Sequence, residues 1–137
     1  MRRSEKIISD YLALSPKEQI AYLRSFNQNL DAELCDFFLC IALDKTQETS
    51  LRKEAINVIG LFKGHSNDNA IKKALYHLIR TPNADIQIHA ISALGLMHID
   101  ESDLRYIAHL AQHSEDERVQ DVANAFIANR RDIASAL

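Results

Sequence analysis

At 137 residues the chain is long enough for one domain that buries about two-thirds of its unfolded surface without metals or disulfides. Hydrophobic residues at 47% and charged residues at 26% describe an ordinary globular protein, while three glycines and two prolines are too few for a turn-rich β fold. A net charge of −3 argues against nucleic acid as the direct partner, and no apolar run approaches the ~18 residues of a membrane span.

The start, "MRRSEKIISDY", lacks the apolar stretch of a secretory signal, so a cytoplasmic protein is expected. "SEKIISDYLAL" places Ile7, Ile8, Tyr11 and Leu12 on one side of a helix. "SPKEQIAYLRSF" carries a helix-start signal: Ser15 as N-cap, Pro16 at the first helical position and Glu18 closing a capping box. Ile20, Leu23 and Phe26 then form an inward stripe, and residues 1–30 make a capping helix pair. In "ELCDFFLCIAL", Cys35 and Cys40 point to different sides of one helix, beyond disulfide reach, and are expected as buried thiols.

The rest of the chain repeats itself. "LRKEAINVIGLF" (51–62) and "IQIHAISALGLM" (86–97) align without a gap at an offset of 35, and "VQDVANAFIAN" (119–129) follows at 33. Ala55, Ala90 and Ala123 share one slot; Gly60 and Gly95 share another, paired with Leu61 and Leu96 beside them. Ile86, Ala90, Ala93, Leu94 and Met97 form one apolar stripe. Gly95 falls inside that predicted helix, where glycine costs about 1 kcal/mol against alanine, which implies close approach of a neighbouring backbone. Each segment follows another amphipathic run, "LCDFFLCIAL", "AIKKALYHLI" and "LRYIAHLAQ", with turn chemistry in "KGHSNDN", "RTPNAD", "HIDESD" and "HSEDE". The predicted organisation is a single domain: the capping pair, three two-helix units over 31–130, and a tail at 131–137.

The pattern apolar-x-x-x-Ala-x-x-apolar-apolar-Gly resembles the second helix of a HEAT or armadillo-type repeat. The resemblance implies an all-α fold, a short right-handed α-solenoid of about four helical hairpins with second helices lining the inner face. It also implies a protein-binding role. The units are shorter than common HEAT units, and Gln87 and Gln120 stand where the family has an arginine.

Sites of chemistry are scarce. His109 and His113, four apart, share a helix face, but no Glu follows His109 and no third ligand is indicated, so neither metal nor cofactor is expected. Phosphate loops, nucleophile elbows and C-x-x-C pairs are absent, and no catalysis is expected. From Asp100 to Asp121, seven carboxylates (Asp100, Glu101, Asp103, Glu115, Asp116, Glu117, Asp121) face only Arg105 and Arg118. They read either as helix-start stabilisation or as an acidic patch that docks a basic partner. A second candidate surface comprises Asn57, Ile88, Ile91, Ser92 and Asn124, on the far side of the second helices from the main stripe. Those positions read either as lateral packing between repeats or as a recognition face.

In size, charge and architecture the chain is similar to immunity proteins of bacterial toxin–immunity pairs of the contact-dependent growth inhibition type. That resemblance implies a basic, nuclease-type toxin domain as the partner, bound and neutralised by the acidic surface, with no direct contact to nucleic acid or membrane. Two alternatives stay open: a small HEAT-like adaptor, and a helical-repeat enzyme acting on a nucleic-acid base or a tetrapyrrole.

Overall fold

A computed structural model describes the backbone of residues 2–60 and 68–136 and the side chains of 2–60 and 69–130. Every regular element among them is a helix: α1 (Arg3–Leu12), α2 (Pro16–Arg24), α3 (Ala32–Leu43), α4 (Thr49–Ile59), α5 (Asp68–Ile79), α6 (Ala84–Leu94), α7 (Glu101–His113) and α8 (Glu117–Ala136). Leu61 and most of the "KGHSNDN" break lie outside the described residues. Successive helices pair as four hairpins, and the second members, α2, α4, α6 and α8, stack on one another in order. The first helices touch each other far more lightly. A stack packed closer on one side bends towards it, so the second-helix layer is the inner face. This is the all-α, solenoid-like repeat fold that the sequence predicts.

The core follows the repeat. Ile86, Ala90, Ala93, Leu94 and Met97 are all buried, as are Leu51, Ala55 and Ile59 of α4 and Val119, Ala123 and Phe126 of α8. Ile7, Tyr11 and Leu23 anchor the first hairpin, but Leu12 is 62% exposed and does not join their stripe. Cys35 is buried, whereas Cys40, also expected inside, is exposed. The Ser15 capping box forms: Glu18 N donates to Ser15 Oγ (3.3 Å) and Ser15 N to Glu18 Oε1 (3.0 Å). Helix α8 runs on to Ala136, taking in residues 131–136 that were expected as a tail.

The two glycines are not inside helices. Gly60 is the C-cap of α4 and Gly95 of α6, with right-handed φ of −59° and −63°, so neither is there for left-handed backbone. Besides a carbonyl of their own helix (Asn57 O at 3.4 Å, Ser92 O at 3.3 Å), what they meet from the next repeat is side chain rather than backbone. A Cβ on Gly60 would lie 3.2 Å from Leu96 Cδ1, and one on Gly95 3.4 Å from the Phe126 ring. Each glycine lets the next repeat close over a helix end.

A second device recurs in all four hairpins. A side chain in the first turn of the second helix reaches back to a carbonyl near the end of the first. Gln19 donates to Tyr11 O (3.3 Å), Arg52 Nε to Ala42 O (2.9 Å), Gln87 to Ile79 O (2.7 Å) and Gln120 to Ser114 O (2.5 Å). Three of these bonds reach carbonyls at a helix end or turn, while Tyr11 O also accepts from Leu14 N (3.1 Å). The glutamines that depart from the family pattern therefore do the same work as Arg52.

Candidate functional site: the inner face and its grooves

Equivalent slots behave differently along the stack. Ile56, Ile91 and Asn124 occupy one slot, spaced 35 and 33 residues apart. Ile56 and Ile91 are fully buried against the neighbouring repeat, while Asn124, on the last helix, is exposed. Ile91 therefore serves lateral packing, one of the two readings its position allowed, and meets the inner face only as a buried residue beneath it. Ile88 is half-buried and packs against the same core. Asn57 and Ser92 are exposed and equivalent, set on adjacent inner helices with Ala125 next in line on α8.

Two grooves run between inner helices. One lies between α6 and α8, about 330 Å³, walled by Leu96, Val122, Ala125 and Phe126, with Ile91 as floor and Ser92 and Asn129 at the edges. Leu96 stands 51% exposed beside it, a large apolar side chain open to solvent. Arg130 closes one end: its guanidinium donates to Gly95 O and lies 5.4 Å from the Phe126 ring centre, a cation–π contact. The other groove, about 430 Å³, lies between α2 and α4 at Leu23, Arg24, Phe26, Glu54, Asn57 and Val58. Glu54, Asn57 and Val58 are the repeat equivalents of Val122, Ala125 and Phe126. One architecture thus yields a groove crossed by the Arg24–Glu54 ion pair (3.3 Å) and an apolar one.

The acidic segment divides into used and unused carboxylates. Asp100 is the N-cap of α7; the Ser102 hydroxyl, then the Asp103 N–H, hydrogen-bond it and hold its carboxyl down to about 2. Glu101 pairs with Arg105 at 3.0 Å on an exposed face, where such pairs contribute little. Asp103 is buried, receiving Lys72 Nζ at 2.6 Å and the Tyr76 hydroxyl. Burial first, and the Asp103 carboxylate second, push the Tyr76 phenol up. That cluster joins α5 to α7 and belongs to the fold. Asp116 accepts from Arg118 N (2.8 Å) and pairs with the Arg118 guanidinium, which also reaches Asp85 (3.0 Å). The Arg118 side chain, foremost, holds the Asp116 carboxyl below the usual range. Glu115, Glu117 and Asp121 remain exposed, with no ion-pair partner among the described residues. Glu117, Asp121 and Asn124 share one stripe at steps of four and three on the open side of α8. A polar stripe suits a helix face with no further helix against it among the described residues.

His109 and His113 stack ring on ring at 4.2 Å, both exposed, and His113 Nδ1 lies 3.0 Å from His109 O. Among the described residues no three His, Cys, Asp or Glu side chains are grouped to hold a metal ion. No helix there is long and apolar enough to cross a membrane.

Stacked helical hairpins with a continuous inner layer define the class of α-helical repeat proteins. Residues 38–128, well over half of the chain, match the family of HEAT repeats, and the chain belongs to that family. No curated protein and no solved structure matches it. HEAT repeats are typically protein-interaction scaffolds. Sequence reading did not assign the walls of the α6/α8 groove to a site. Leu96, Phe126 and Asn129 lie within the aligned segments and Arg130 just past them, and periodicity alone does not tell which of those slots stay open between helices.

Proposed function

We propose that the chain is a protein-binding module, not an enzyme, and that it receives its partner on the inner face of α4, α6 and α8. The α6/α8 groove carries this reading: apolar walls, an exposed Leu96 and polar edges at Ser92 and Asn129 match a small interface core with its rim. Capture from the native host with the wild-type chain and two variants tests it. Leu96→Asp with Ser92→Arg should lose the captured protein, while Glu117→Lys with Asp121→Lys should keep it. The reverse pattern would move the interface to the end of the stack.

Within that class the narrower reading is a cytoplasmic immunity protein that neutralises a basic, nuclease-type toxin. Its support is the exposed, unpaired set Glu115, Glu117 and Asp121. Charge steering is screened beyond about 8 Å at physiological salt. Association with such a partner should therefore slow steeply as salt rises, and salt-insensitive association would remove the toxin reading while leaving the inner-face module intact.

A further inference from the structure

Away from the inner face, at the ridge formed by the turns between paired helices, lies a cavity of about 360 Å³ lined by Lys45, Arg52, His77, Arg80, Thr81, Pro82 and Asn83. Four basic side chains line it and no carboxylate does. Lys45 and Arg80 are repeat equivalents, 35 residues apart, so the stacking of two hairpins brings like charges together. Three of the four basic groups are exposed; Arg52 is 7% exposed.

Arg52 is the informative member. In the other hairpins its structural bond is made by a neutral glutamine, Gln19, Gln87 or Gln120. Arg52 spends only Nε on that bond, to Ala42 O, and has no carboxylate at ion-pair distance among the described residues. Asp44, whose carboxyl feels the Arg52 charge, is bonded to Thr46 and Gln47 in its own turn and does not line the cavity. No fully buried side-chain nitrogen among the described residues lacks a hydrogen-bond partner. The Nη atoms of Arg52, which have no hydrogen-bond partner among the described residues, are therefore not fully enclosed, and Arg52 lines the cavity. A mostly buried guanidinium with no carboxylate at ion-pair distance is under-compensated, and its planar fork suits an oxyanion.

We propose that this cavity binds a phosphate group, with Arg52 as its buried donor fork, Lys45 and Arg80 as the surrounding charge, and His77 as a further hydrogen-bonding side chain. The volume exceeds one phosphate, so the group arrives as pyrophosphate, a phosphate ester or a phosphorylated side chain.

Pyrophosphate is the first probe, titrated by calorimetry and by amide and arginine Nε chemical shifts, against chloride at matched ionic strength. Saturable binding is expected, with shifts confined to residues 44–52 and 77–83. Arg52→Gln copies the residue of the other three hairpins, so the melting temperature without ligand should hold while affinity falls about tenfold or more. Lys45→Ala with Arg80→Ala, both at exposed positions, should weaken binding similarly, and it decides the matter if Arg52→Gln fails to fold. A phosphoserine peptide beside its serine parent separates the sources. Tighter binding than pyrophosphate places the phosphate on a protein, and equal or weaker binding places it on a small molecule. No saturable binding, shifts elsewhere, or wild-type affinity in a folded variant would overturn the proposal.

Discussion

Helices α6 and α8 share their slots but not their surroundings. Ile91 sits in the middle of the stack, covered by the next repeat, while its equivalent Asn124 has no following helix against it among the described residues. Beside them Ile88 is half-buried and Asp121 exposed. The residue type at a slot thus records whether a neighbour covers it, and apolar character on the far side of a repeat helix signals lateral packing before it signals recognition.

The sharpest way to break this comparison is truncation in both copies. Ile91→Ala should cost about 2–5 kcal/mol in urea unfolding, as large-to-small changes in a closed core do. Asn124→Ala should stay within about 0.5 kcal/mol. Similar losses in both would mean that α8 is covered in solution. A smaller effect tests whether the first-helix layer, with its light packing, depends on polar contacts. Asp103→Ala removes the partner of Lys72 and Tyr76 and should cost about 2–3 kcal/mol. Lys73→Ala, on an exposed neighbouring position, should change little. Overpacking gives the next step: Gly95→Leu drives a side chain against the Phe126 ring and should cost about 1–3 kcal/mol in the same assay.

The smallest expected effect concerns pH. The Asp100 carboxyl is lowered from 3.8 to about 2, so its contribution is present above pH 3.8 and disappears as the pH falls through about 2. A circular-dichroism titration should show the wild type losing stability across that window. Asp100→Asn, which keeps a capping oxygen but not the charge, should show a flatter curve.

The fold was legible because its signal was redundant. Three aligned segments, the alanine slot and the Ser15 capping box each pointed to stacked hairpins, and no single substitution could hide the period. The candidate surfaces were less legible because a count of charges does not separate carboxylates that build helix starts from those left to solvent. Asp100, Asp103 and Asp116 are engaged within the fold and Glu101 pairs with Arg105, which leaves Glu115, Glu117 and Asp121 of the predicted patch. The net charge of −3 likewise gave no sign that Lys45, Arg52, His77 and Arg80 meet in one cavity, because only the stacking of two turns brings them together.

The central claim is that a partner protein sits on the inner face. Hydrogen–deuterium exchange on the chain alone and saturated with its captured partner tests it most directly. Protection is predicted on the inner helices and past the end of α6, at 54–58, 92–97 and 122–130, with little change at 114–118. Protection confined to 114–118, with the inner helices exchanging as in the isolated chain, would contradict it.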